Sequence, residues 1–351
     1  MPPKAIVCLL ACLLAIVSCS KENGLHPNPA RYFKSVEGLV GESVLTFDDF
    51  GVFRPTSIVM REGIVFAQNR DVEMLCAVNR VSTTMESLLR RGDGPGEALH
   101  ISYITIAEDA IVTAEMNKRL IIEIPLDSKK ATFTPLPFEY GSPTSIIKGR
   151  DGYVILGNFP DGRYMYYQPE QGKVGFFGEY RVLSKYKRLD NYTKSLIYIS
   201  SKLAIKPDLT KFVAVNFNNG VIDINGIEKD SIVNLKQLDF HYQDIYVEGS
   251  RDKPRVFTKK SNRNGFFDVA TCNDYIYAIY SGKSFDEAGI SLDHCEYLMV
   301  FDWDGNPAGC FHVNTPLYAI CYNDLDNALY GVHLGEEATL YKFDIRERLL
   351  R

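Results

Sequence analysis

The sequence predicts an all-β fold, a six-bladed β-propeller closed by a strand from its own N-terminal part. Three observations carry this. A polar turn recurs six times: Glu62-Gly63, Glu108-Asp109, Asp151-Gly152, Asp208-Leu209, Asn273-Asp274 and Asp326-Asn327. An apolar stretch follows each turn, at Ile64–Ala67, Ala110–Thr113, Tyr153–Leu156, Phe212–Val215, Tyr275–Ile279 and Ala328–Val332. The spacings of 46, 43, 57, 65 and 53 residues suit one four-stranded blade each, with insertions.

Composition agrees with strands. Of 351 residues 46% are hydrophobic, enough for a large core, and 12% are aromatic, with 21 Tyr and 20 Phe. Aromatic and β-branched residues favour the pleated, half-buried surface of a sheet. The net charge is -5 and no Lys/Arg stripe occurs, so the electrostatic footprint of a nucleic-acid partner is missing.

The elements follow in chain order. Residues 1–18 read as a signal peptide: Lys4 supplies the positive charge and Ala5 to Val17 is uncharged. That run of 13 residues is shorter than the ~20 needed to span a bilayer. It ends in Ile16-Val17-Ser18-Cys19, which resembles the bacterial lipoprotein lipobox, and the resemblance implies acylation of Cys19. Ser20-Lys21-Glu22 is similar to the short surface-export tag of Bacteroidetes lipoproteins. Residues 19–40 are expected to form a flexible tether and 41–351 the propeller, held by a lipid anchor at the outer membrane.

Ser43 to Phe47 forms a lone strand ahead of the first unit, while the last unit supplies only three strands, Tyr318–Tyr322, Ala328–His333 and Thr339–Asp344. Pairing the lone strand with the last unit closes the ring and removes two sheet edges. In the fourth unit the turn Asn218-Asn219-Gly220 separates Lys211–Asn216 from Val221–Ile224, a strong hairpin signal. Tyr180 to Ser200 has apolar residues near helical spacing and reads as a loop with one or two helical turns. Gln237 to Asn264 is long and charged, and reads as a projecting loop.

Cys76, Cys272, Cys295, Cys310 and Cys321 lie beyond Cys19. An odd count cannot pair completely, and no zinc spacing occurs. Buried thiols are one reading; a disulfide within the last two repeats is the other, since the envelope permits it.

Arg90-Arg91-Gly92-Asp93-Gly94-Pro95-Gly96-Glu97 resembles the Gly-x-Gly-Pro-Gly-Glu motif of six-bladed, TolB-like propeller lipoproteins of Bacteroidetes. The turn at Phe301–Pro307 fits the same family, whereas Pro207-Asp208-Leu209-Thr210-Lys211 departs from its usual Pro-Asp-Gly-Lys. The resemblance spans residues 19–351. It implies the fold and an envelope location, but no activity.

Candidate ligand contacts are Arg91, Asp93, Glu97 and His100 around this loop, with Arg163 and Arg263 beside aromatics at other loops. Glu97 has a second reading, as a cap that locks the turn. Asp302-x-Asp304-x-Asn306 has the oxygen spacing of a calcium loop without its distal Glu, and no metal site or cofactor is expected. No Gly-x-Ser-x-Gly elbow, phosphate loop or His-Glu-x-x-His occurs. The functional expectation is a binding module whose partner is a small molecule, glycan or protein. The alternative is a hydrolase or lyase using funnel carboxylates and a cation.

Overall fold

In the computed structural model, which describes residues 26–137, 141–250 and 252–349, each polar turn joins the first two strands of a blade of four antiparallel strands, and the fifth blade gains one further, parallel strand at its outer edge. The leader and Cys19 lie outside the described residues. Blade one is β3 (Pro55–Arg61), β4 (Ile64–Asn69), β5 (Glu73–Asn79) and β6 (Thr84–Arg90). Blade two is β7 (Thr105–Ala107), β8 (Ala110–Glu115), β9 (Leu120–Pro125) and β10 (Thr132–Pro135). Blade three is β11 (Pro143–Lys148), β12 (Tyr153–Gly157), β13 (Tyr164–Gln168) and β14 (Lys173–Phe177). Blade four is β15 (Ser201–Ile205), β16 (Lys211–Asn216), β17 (Gly220–Ile227) and β18 (Ile232–His241). Blade five is β21 (Phe266–Thr271), β22 (Tyr275–Tyr280), β23 (Cys295–Asp302) and β24 (Pro307–Leu317).

Blade six holds the closure. β25 (Ala319–Asn323), β26 (Ala328–Leu334) and β27 (Ala338–Phe343) take β2 (Glu42–Thr46) as their outer strand, with Glu42 opposite Lys342 and Thr46 opposite Thr339. The N-terminal strand therefore closes the ring as expected.

Six apolar layers, one between each pair of neighbouring blades, form the core. Every blade is thus covered on both faces. This is why the strands after the polar turns read as near-continuous apolar runs rather than as clean alternation.

The inner strands β3, β7, β11, β15, β21 and β25 ring the axis with one edge unpaired, and side chains bridge most of the gaps. Ser57 Oγ donates to Ile104 O at 3.5 Å and Thr105 Oγ1 to Ile146 O at 2.9 Å. Leu203 N donates to Ser145 Oγ at 3.2 Å, Thr271 Oγ1 to Ile205 O at 2.6 Å, and Ile320 N to Asp268 Oδ2 at 2.9 Å. Between blades six and one the contact is apolar, through Ile58, Met60, Ala319 and Cys321. Each buried backbone group left unmatched would cost about 1–3 kcal/mol, so this belt is part of the fold's stability.

Two expectations need correction. The first concerns the tether, which is not free as far as residue 40. Asn28 Oδ1 caps a short 3-10 turn, Pro29–Tyr32, and Tyr32 and Phe33 pack against Phe240 and Phe301. β1 (Glu37–Leu39) then runs parallel to β24, with Leu39 buried opposite Val313. Three apolar side chains dock this stretch despite its proline-rich start. The second concerns Gln237 to Asn264, which contains a hairpin, β19 (Ile245–Ser250) and β20 (Lys253–Thr258). Its outer surface carries Glu248 opposite Arg255 beside the stacked Tyr246–Phe257 pair, so its strand pattern reads as charged loop. Helical turns do occur within Tyr180 to Ser200, including α1 (Asn191–Ser195), capped by Asp190. This segment holds the hairpin: Ile245 N donates to Tyr186 Oη at 2.9 Å, and Tyr186 Oη donates to Ile245 O at 2.6 Å.

All five described cysteines are buried thiols, scattered over blades one, five and six. Burial pushes the Cys76, Cys295, Cys310 and Cys321 thiols up, Cys310 to about 12, and the alternative disulfide of the last repeats is not formed.

Candidate functional site: a cationic cavity on the loop face

Antiparallel strand order assigns the two faces of the ring. Turns between first and second strands share one face with turns between third and fourth strands. The opposite face carries blade-to-blade connections and the turns between second and third strands. Call the latter the loop face.

The connection from β6 to β7 is built around glycines. Gly92 N donates to Ala98 O and Ala98 N to Arg90 O, closing a tight loop. The Glu97 carboxylate folds back inside it and accepts from Gly94 N at 3.0 Å. A Cβ on Gly92 would collide with that carboxylate, and one on Gly94 would lie 2.9 Å from Oε2. Gly96 has φ +79°, which side-chain-bearing residues rarely adopt. Close approach to Glu97 therefore explains the spacing of the motif.

Arg91 fastens this loop to the neighbouring turn. Its guanidinium donates to the carbonyls of Arg70 at 3.0 Å, Leu99 at 3.3 Å and Asp71 at 3.4 Å. Asp93 is exposed and pairs with Lys118 at 2.6 Å. His100 Nδ1 lies 3.0 Å from Asn117 Nδ2, while His100 N donates to Glu115 Oε1 at 3.0 Å. Glu115 is fully buried and also accepts from Leu99 N and Lys118 N. It organises the far end of the loop, and nothing in its local sequence distinguishes it from any strand-end glutamate.

Of these residues Arg91 and His100 line a cavity of about 440 Å³ at the mouth of the axis, together with Arg70, Asn69, Thr56 and Tyr103. No Asp or Glu is among its lining residues. Arg70 escapes sequence reading because the turn Asn69-Arg70-Asp71 looks like any polar hairpin tip; only the ring brings it opposite His100. Its guanidinium makes one polar contact among the described residues, to Tyr318 Oη at 3.5 Å.

Arg163 and Arg263 are not brought to this cavity. Arg163 is 1% exposed and pairs with Asp223, itself 2% exposed, between blades three and four. Arg181 shares Asp223 and reaches Asp239 at 2.6 Å, Tyr164 Oη donates to Asp223 Oδ2 at 3.1 Å, and the Arg163 guanidinium lies 4.4 Å from the Tyr198 ring centroid. Arg263 is exposed; it pairs with Glu287 at 2.9 Å and donates to Gly282 O. The aromatic run Tyr164 to Tyr167 is buried in blade three as sheet packing.

The Asp302 carboxylate accepts from Asp304 N and Asn306 N and so builds the turn between β23 and β24. Among the described residues no group of three or more His, Cys, Asp or Glu is placed to hold a metal ion, and no helix is long and apolar enough to cross a membrane.

The geometry defines a class: a six-bladed propeller with a cationic funnel on its loop face. A model of the TolB-like 6-blade propeller family matches residues 80–324, and the chain belongs to that family. Among solved structures, a protein assigned as exported from Bacteroides fragilis superposes with TM-score 0.52 at 11% identity, over 87% of this chain and 94% of that one. The β-propeller domain of Swd1 from Myceliophteria thermophila gives TM-score 0.47 at 9% identity, covering 86% and 99% of the two chains. The WD40 repeats of RRP9 give 0.48 at 9%, covering 88% and 100%. No curated protein matches the sequence.

Proposed function

We propose that this chain is a binding module held at the cell envelope, and that it takes an anionic ligand in the cavity on its loop face. The observation that supports this is the charge of the lining. Arg70, Arg91 and His100 converge there with no carboxylate among the lining residues, in a chain of net charge -5. Arg91 is committed to three backbone carbonyls and contributes its field. Arg70 is the cation with donors to spare. A carboxylate 4 Å from such a cation gains roughly 1–4 kcal/mol between bulk water and a protein-surface dielectric. The ligand is an acidic small molecule, an acidic glycan or an acidic segment of a protein. A lining without carboxylates favours binding over the hydrolase or lyase alternative, which needs them.

Attachment through Cys19 fits this reading. Only residues 20–27 would separate the lipidated cysteine from the folded strap at Asn28, a reach of about 26 Å when extended. An outer-membrane location and surface display belong to the same proposal; the Bacteroides fragilis protein of similar fold is described as exported.

Titration calorimetry with citrate, digalacturonate and an acidic peptide, at low and high salt, tests the ligand class. At least one probe should bind, weaken with salt, and lose about tenfold in affinity in Arg70→Ala. The reading fails if none binds or if Arg70→Ala is indifferent. Palmitate labelling that persists in Cys19→Ser would sink the anchor.

A further inference from the structure

Beneath the face cavity, the inner strands enclose a second space of about 210 Å³ that reaches towards the six polar turns. Tyr103 is common to both spaces. Much of the wall of this axial chamber is aliphatic, from Met60, Ile106, Leu203, Val269 and Ile320. Into that wall β15 places Lys202, which is only 5% exposed.

Lys202 Nζ lies 3.2 Å from Asp268 Oδ1, its only polar contact among the described residues. Two aromatic rings flank it, Tyr103 with its centroid at 4.1 Å and Phe267 at 4.8 Å. Asp268 is already engaged, because Oδ1 accepts from Val269 N and Oδ2 from Ile320 N, both at 2.9 Å. The carboxylate thus serves the belt that ties blade five to blade six. An ammonium has three donors, and this one has a single shared acceptor. Burial pulls Lys202 down, but the neighbouring Asp268 carboxylate outweighs it and holds the amine above the ordinary lysine value. It is therefore charged at neutral pH. Buried polar groups are nearly always satisfied, so an under-satisfied cation set in a largely aliphatic wall calls for an acceptor.

We propose that the axial chamber is a second binding site, for a small carboxylic acid with an apolar body. The carboxylate accepts from Lys202 Nζ, and the body packs against the aliphatic walls. An apolar cavity of about 150 Å³ takes up benzene, so the chamber has room for a small ring or short chain beyond its charged head. Arg61 at the mouth does not compete for the head, because it donates to Glu108 O and pairs with Asp109. Arg70 lines the face cavity and not this chamber, and Tyr103 is the wall the two spaces share.

The probe is phenylacetate, with phenylacetamide as its neutral isostere, measured by calorimetry on the folded propeller. Phenylacetate should bind saturably and at least tenfold more tightly than the amide. Lys202→Met should remove at least tenfold in affinity, while Arg70→Ala leaves it unchanged. Since Lys202→Met strips Asp268 of its counter-ion, Ile106→Trp provides a second variant: it fills the chamber from the half-buried position 106 of β7, keeps the Lys202–Asp268 pair in the chain, and should abolish binding. Absence of phenylacetate binding to the wild type would overturn the proposal. Equal affinity for acid and amide, or retained binding in Ile106→Trp or in a folded Lys202→Met, would do the same.

Discussion

Replacing Asp223 by alanine should be among the most damaging single changes in this propeller. Asp223 sits on β17 between blades three and four and accepts from Arg163, Arg181 and Tyr164. Without it, Arg181 keeps Asp239, but Arg163 is left as a buried guanidinium with no counter-ion. Breaking one side of a buried pair costs about 3–5 kcal/mol, against a total stability of roughly 5–15 kcal/mol. At about 2–4 °C per kcal/mol for a chain approaching this size, the melting point should fall by roughly 10 °C. Trp303 offers a convenient signal, since it is the chain's one tryptophan, is buried, and donates to Cys272 O in blade five. Urea unfolding followed by Trp303 fluorescence and by circular dichroism would give the loss and test whether the ring unfolds as a unit. The paired variant Arg163→Met with Asp223→Asn should recover at least 2 kcal/mol of it, because replacing both members of a buried pair removes the stranded charge. A loss under 1 kcal/mol in Asp223→Ala, or a double variant no better than the single one, would refute the reasoning.

Three further outcomes are expected. Gly92→Ala should disorder the β6–β7 loop and weaken anion binding at the face, and Gly92→Ala with Glu97→Ala should restore the loop; heteronuclear NMR of residues 91–100 reports both. Ser145→Ala removes the acceptor for Leu203 N and should cost about 1–3 kcal/mol, with faster amide exchange at Leu203. Burial, reinforced by Arg263, lowers His241 to about 4, so it is neutral in the folded chain while its unfolded counterpart protonates near 6.5. The unfolded state then binds more protons between those values, and stability should fall by about 2–3 kcal/mol as pH drops from about 6.5 to 4. In His241→Gln that part of the pH dependence should vanish, as measured by urea midpoints across the range.

Legibility differed by scale. Turns and strands were readable because each depends on a few consecutive residues: Glu62-Gly63 bends the chain wherever it is placed, and both residues have positive φ. The closing strand was readable by counting strands, since an unpaired edge needs a partner. Hairpin β19–β20 was not, because its apolar inner residues, Ile245 and Val256, pack on Tyr180, Ile197 and Tyr198, which are distant in sequence. The docking of Tyr32 and Phe33 was hidden for the same reason, as their partners lie in blades four and five.

The site divides along the same line. Arg91, Asp93, Glu97 and His100 stand out as a motif, yet Asp93 pairs with Lys118 and Glu97 and Arg91 bond mainly to backbone, which is local work that a local motif encodes. Arg70, Glu115, Lys202 and Asp268 carry no motif. Arg70 meets His100, and Lys202 meets Tyr103 and Asp268, only when the ring brings separate blades around one axis. By itself, the sequence determined the repeat, the turns, the number of blades and the closing strand, all of which follow from short-range backbone preference and strand pairing. The tertiary structure alone decided where charge is concentrated and where it is buried, because burial and electrostatic partnership depend on closure of the ring and not on neighbours along the chain.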